Sequence, residues 1–111
     1  PEPILCFDGD AAGLRAAHKA IDRALPELEP GRSLYFVLMP DGLDPDDLIR
    51  ARGPQAMRDL LLAPEPLVEV LWRRERDADP IDTPERRAGL ESRLMGAASA
   101  IRHAGVRRAY E

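Results

Sequence analysis

Apolar positions along the 111-residue chain fall into two kinds of run. Ile4-Leu5-Cys6-Phe7 and Leu34-Tyr35-Phe36-Val37-Leu38 are short, continuous and bounded by Asp-Gly or Pro, which is how strands buried on both faces of a parallel sheet read. Between them the period lengthens. Leu14, Ala17, Ile21, Ala24 and Leu28 recur three or four apart, with Arg15, Lys19, Asp22 and Arg23 in between. That spacing predicts an amphipathic helix over 11–25 with a small, Ala-rich buried face. Pro26 and Pro30-Gly31 end it. Strand, helix and strand of these lengths make one βαβ crossover.

From residue 44 onward the pattern predicts helices only. Asp44-Pro45-Asp46-Asp47 opens a short helix to about Arg52, and Gly53-Pro54 restarts one through Met57, Leu60 and Leu61. Leu67, Val68, Leu71 and Trp72 line one side of the segment from Pro64 to Arg76, and Trp72 is expected in the core between helices. Asp82-Thr83-Pro84-Glu85 is a cap with Pro at the first helical position. Leu90, Leu94, Ala97 and Ile101 form the stripe of a last long helix, which Gly105 is expected to end. The fold class is therefore α/β: parallel strands with a crossover helix, followed by an α-helical part. Two strands alone do not make a stable parallel sheet. Further strands are expected upstream of Pro1, or from a second copy paired through the exposed edge as a homo-dimer.

Composition narrows the function. Apolar residues make up 44% and charged residues 32%, as in soluble globular domains. No run approaches the roughly 18 apolar residues of a membrane helix, and no secretory leader opens the sequence, so a cytoplasmic protein without membrane partners is expected. The missing initiator Met suggests a piece of a longer protein. A net charge of -4 argues against a free-standing domain that clamps nucleic acid by bulk charge. Arg73, Arg74 and Arg76 alternate with Glu75 and Asp77, which reads as a solvated helix face. Cys6 is the only cysteine, expected as a small buried strand residue. With only two histidines beside it, a zinc site of the usual Cys/His kind is not expected.

The chemistry lies in two acidic loops, Asp8-Gly9-Asp10 and Asp44-Pro45-Asp46-Asp47. Both follow apolar strands, so a βαβ unit brings them to one edge of the sheet, the edge where open α/β proteins build their sites. Carboxylates gathered there repel one another unless a cation sits among them. Mg²⁺ suits hard oxygen ligands and keeps waters that substrate phosphates can replace. A structural reading competes: Asp10 caps the first helix, and Asp44 with Pro45 is close to an ideal helix start. The two roles are compatible. Four apolar residues followed by Asp-x-Asp are also how haloacid-dehalogenase-type phosphatases place a nucleophile. Those enzymes follow it with a hydroxyl residue and need a late lysine, whereas here Ala11-Ala12 follow and Lys19 is the only lysine.

"CFDGDAAGLRAA" (6–17) and "LMPDGLDPDDLI" (38–49) resemble the last two strand-loop units of the Toprim domain in its bacterial, DnaG-type DNA primase version. The helical stretches "PLVEVLW" (66–72) and "DTPERRAGLESRL" (82–94) resemble the helical subdomain that follows it. The resemblance implies residues 1–62 as the C-terminal part of a Toprim domain and 63–111 as the helical subdomain. It implies Asp8, Asp10, Asp44 and Asp46 as catalytic metal ligands for Mg²⁺ or Mn²⁺, in template-directed RNA primer synthesis from ribonucleoside triphosphates on single-stranded DNA. It also implies a bacterial, nucleoid-associated primosome protein, with the replicative helicase as partner through a domain outside these residues. The family's first Toprim strand ends in a glutamate that nothing here supplies, so this segment alone is expected to be inactive. Another Toprim or Asp-x-Asp phosphotransfer enzyme, a nuclease or phosphatase, remains an alternative, as does a non-catalytic interaction module.

Overall fold

In a computed structural model describing residues 2–111, β1 (Ile4–Phe7) leads into α1 (Ala11–Ala24), a 3-10 turn at Leu25–Glu27, and β2 (Tyr35–Leu38). β1 and β2 pair in parallel, from Ile4 opposite Tyr35 to Phe7 opposite Leu38. The helices α2 (Pro45–Arg52), α3 (Pro54–Leu62), α4 (Leu67–Asp77), α5 (Pro84–Ser99) and α6 (Ala104–Tyr110) follow. Between α3 and α4, β3 (Glu65–Pro66) pairs antiparallel with β2, giving the order β1-β2-β3. The outer edge of β1 is unpaired among the described residues.

Local chemistry accounts for the helix boundaries. Asp10, Asp44, Thr83 and His103 each accept a hydrogen bond from a first-turn amide, which satisfies a donor the helix leaves orphaned. Pro45, Pro54 and Pro84 stand at helix starts, where a missing N–H costs nothing. α2 carries Asp46 and Asp47 in its first turn and Arg50 and Arg52 in its last, the arrangement its dipole favours. Gly53, at φ 84°, ends α2 and opens α3.

The parallel register puts Leu5, Phe7, Phe36 and Leu38 on one face of the sheet and Ile4, Cys6, Tyr35 and Val37 on the other. The first face meets α1 and α4 around fully buried Ala17, Ile21, Phe36 and Leu67, with Ile101 closing the cluster. Phe7 stacks on Phe36 at 5.9 Å between ring centroids. The second face is covered over β2 alone: Val37, Met39 and Leu48 pack with Met57 and Leu60. Residues 63–111 thus share the first core with β1, α1 and β2 rather than forming a core of their own. The radius of gyration is 15.5 Å, against about 13 Å for a compact domain of this length. No helix among the described residues is long and apolar enough to cross a membrane.

Several expectations are corrected. Cys6 is exposed, because α2 and α3 cover β2 on that face and leave β1 bare. A strand does form in the second half. β3 is two residues long and includes Pro66, too short to show alternation. Gly105 does not end a helix. α5 stops at Ser99, and His103 caps α6, in which Gly105 lies. Trp72 is 40% exposed, on the wall of an open groove of about 340 Å³ with Val68, Leu94, Met95 and Tyr110. Leu14 is also exposed. Arg74 is no solvated face. Its side chain is largely buried, donating to the His18 carbonyl and pairing with Asp22 of α1 and with Glu75, whose other carboxylate oxygen faces Arg93 of α5.

Candidate metal centre

Because β1 and β2 are parallel and in register, both chains leave the sheet at the same edge. The pairing continues past the strands. The Met39 N–H donates to the Phe7 carbonyl at 2.9 Å, and the Gly9 N–H donates to the Leu43 carbonyl at 3.1 Å. These bonds seat the Asp8–Asp10 loop directly against the 39–44 loop. The sequence expectation of two acidic loops at one edge is thus met by the backbone.

The carboxylates are not equivalent. Asp8 follows β1 and is exposed. Asp10 is exposed, and its Oδ1 accepts from the Gly13 N–H at 2.7 Å as the cap of α1. Asp44 is half-buried, and its Oδ1 accepts from the Asp47 N–H at 2.8 Å as the cap of α2. Asp46 and Asp47 are exposed in the first turn of α2. Capping engages one oxygen each of Asp10 and Asp44. Their second oxygens, with both oxygens of Asp8 and Asp46, accept no hydrogen bond among the described residues.

Sequence reasoning missed the part played by Asp41. Pro40 to Leu43 form a turn closed by the Leu43 N–H to the Pro40 carbonyl at 3.0 Å. Asp41 and Gly42 sit at φ 53° and 73°, left-handed as a type I′ turn requires. The turn itself is legible in the sequence from Pro40-Asp41-Gly42; what the sequence does not show is the partner of Asp41. Asp41 is ion-paired with Arg52 in the last turn of α2. The turn before the second acidic loop is thereby tied to the helix after it.

The donors are hard carboxylate oxygens, which suit Mg²⁺ or Mn²⁺ and not a soft ion. Among the described residues no three acidic, imidazole or thiol groups converge closely enough to hold an ion by themselves. The set fits a cation that keeps waters or borrows ligands from phosphate, and does not fit an all-protein cage. Away from the edge, burial first and the Arg74 guanidinium second hold the His18 pKa below its ordinary value, while Asp22 and Glu75 act in the opposite sense.

Fold and edge together define an α/β unit of the class that builds its site outside the carboxyl ends of parallel strands. No family model matches the chain. Over 86 residues the chain is 43% identical to the DNA primase of Neisseria meningitidis serogroup A, covering 77% of this chain and 15% of that protein. A DNA primase domain from Pseudomonas aeruginosa superposes with a TM-score of 0.86 at 32% identity, over 99% of this chain and 35% of that one. A DnaG primase catalytic domain bound to single-stranded DNA gives 0.82 at 34% identity, over 96% and 34%. The chain is homologous to part of the catalytic core of DnaG-type DNA primases. It spans less than a fifth of the length of the curated relatives it matches.

Proposed function

We propose that this chain is the later part of the Toprim domain (1–62) and the following helical subdomain (63–111) of a bacterial DNA primase. In this reading Asp8, Asp10, Asp44 and Asp46 contribute to a divalent-metal site for template-directed RNA primer synthesis. The observation that carries it is the seating of the two aspartate loops against each other through the Gly9–Leu43 hydrogen bond, in a chain homologous to primase cores. Asp8, Asp10, Asp44 and Asp46 would hold a divalent cation at this edge, and the chemistry it would supply is neutralisation of an incoming ribonucleotide's triphosphate and activation of the primer 3′ oxygen. The carboxylates' task is to bind and orient: Asp8 and Asp46 offer both oxygens, while Asp10 and Asp44 offer the one their helix caps leave free. Single-stranded DNA, ribonucleoside triphosphates and a replicative helicase are the partners this reading assigns to the whole protein. The bare edge of β1, the exposed Ile4 and Cys6 and the large radius of gyration support a further strand there, from the rest of the polypeptide or from a second copy.

The caps on α1 and α2 favour a second reading, in which these aspartates only start helices and the chain is an interaction module. Mn²⁺ titration separates the two. The wild-type chain is expected to bind Mn²⁺, and Asp8→Asn/Asp10→Asn to bind it at least tenfold more weakly, since Asn still caps. The full-length protein carrying the same pair is expected to lose primer synthesis. Equal Mn²⁺ binding by wild type and variant would remove these residues from the site.

A further inference from the structure

Helix α1 carries a row of cations that no contact within the described residues engages. Arg15, Lys19 and Arg23 stand four residues apart. A four-residue step advances about 6 Å along a helix and turns about 40° around it, so the three side chains form one stripe. All three are exposed. None has a carboxylate partner among the described residues, whereas Arg52, Arg73, Arg74, Arg76, Arg86 and Arg93 each have one. Asp22, the one acid in α1, is committed to Arg74 of α4.

Helix stability does not account for the stripe. Like charges at i,i+4 repel one another. Each cation also follows an alanine by three residues: Ala12, Ala16 and Ala20 occupy the patch over which a helical side chain leans. Ala12 and Ala16 are exposed. With nothing bulky beside the cations, a narrow chain can lie directly on the helix. The net charge of -4 opposes polyanion binding over the surface as a whole and leaves this stripe as a local exception. α1 begins at the acidic edge, where Asp10 caps it, so the stripe leads away from that edge over about 12 Å.

We propose that the exposed face of α1 is a phosphate track: Arg15, Lys19 and Arg23 hold the backbone of one nucleic-acid strand that runs from the acidic edge along the helix. The nature of the polyanion rests on the primase reading above. Evenly spaced cations meet the evenly spaced phosphates of a strand, and such contacts fix its path without reading its sequence.

The test is binding of a fluorescent oligothymidylate to the 111-residue chain, read by anisotropy across a salt titration without divalent cations. Wild type is expected to bind with log affinity falling against log salt at a slope of about -2, three phosphate contacts at about 0.7 each. Arg15→Gln/Lys19→Gln is expected to bind at least fivefold more weakly at low salt, with the slope reduced to about -0.7. Gln is a good helix former, and thermal melts confirm that the variant is folded. Arg86→Gln/Arg87→Gln, which removes the same charge from the exposed face of α5, is expected to stay within twofold of wild type. Equal losses in the two double variants would assign the effect to net charge and overturn the proposal, as would undetectable binding by wild type. A polyglutamate of matched length binding as tightly as the oligothymidylate would also overturn it, in favour of an acidic protein segment. Because the assay holds no divalent cation, its failure leaves the metal reading standing, and failure of Mn²⁺ binding leaves the track standing.

Discussion

Replacing Asp10 by Ala and by Asn separates the cap from the metal ligand. Ala removes the Oδ1 that accepts from the Gly13 N–H at 2.7 Å. Gly13 is buried against Asp8, so water cannot take the oxygen's place, and the cost belongs at the upper end of the capping range, about 1–2 kcal/mol. For a domain of this size that is a fall in Tm of about 4–8 °C. Asp44→Ala removes an equivalent bond to the Asp47 N–H, but that amide faces solvent and water replaces the acceptor. Its cost is about 0.5–1 kcal/mol, or about 2–4 °C. Asn at either position accepts the same bond, so Asp10→Asn and Asp44→Asn are expected to melt within about 1 °C of wild type. Both Asn variants nonetheless lose the charge a cation needs, and their Mn²⁺ affinity falls. Thermal melts followed by circular dichroism, run beside Mn²⁺ titrations, read both effects on the same samples. The reasoning is refuted if Asp10→Asn destabilises as much as Asp10→Ala, or if Asp44→Ala proves the costlier of the two Ala variants.

Three further outcomes follow from the packing. Phe36→Ala empties the centre of the first core, where Phe36 is fully buried against Phe7. It is expected to cost about 3–5 kcal/mol in urea unfolding, and a loss below 1 kcal/mol would contradict the core assignment. Glu75→Gln keeps the shape but removes the charge that joins Arg74 to Arg93, in a site largely withdrawn from water. A loss of about 1–3 kcal/mol is expected, with Glu69→Gln, exposed on the same helix, as a near-neutral control. His18 has a folded-state pKa held below its ordinary 6.5, so below that pH the unfolded chain takes up a proton that the folded chain resists. Its contribution to stability is therefore present above pH 6.5 and lost as pH falls toward the folded value. His18→Gln is expected to flatten that part of the stability profile measured by urea melts, and an unchanged slope would contradict it.

The elements legible in the sequence are those with strong local signals. Ile4–Phe7 and Tyr35–Leu38 read as strands because their apolar runs are continuous, and α1, α2, α3 and α5 announce their starts with Asp, Gly-Pro or Thr-Pro. What stayed hidden depends on how elements cover one another. Cys6 and Val37 share a sheet face, yet one is exposed and the other buried, because α2 and α3 reach only β2. Arg74 sits in a charged run identical in character to a solvated helix face, and its burial follows from α1 lying alongside. His103 as a cap in place of Gly105 as a stop reflects a break in the chain with no Gly or Pro to mark it. At the acidic edge the loops and their adjacency were readable. The caps at Asp10 and Asp44 were readable too, from Asp standing just before each helix. That no three such groups converge among the described residues follows from backbone directions the residue types do not encode.

The central claim is that the two loops act on the same cation, and a double-mutant cycle tests it most directly. Mn²⁺ dissociation constants would be measured for wild type, Asp8→Asn, Asp46→Asn and the double variant, with thermal melts confirming that all four are folded. Shared binding predicts that each single variant weakens affinity at least tenfold, and that the double variant weakens it by clearly less than the product of the two. Effects that multiply, or single variants that bind as wild type does, would contradict it.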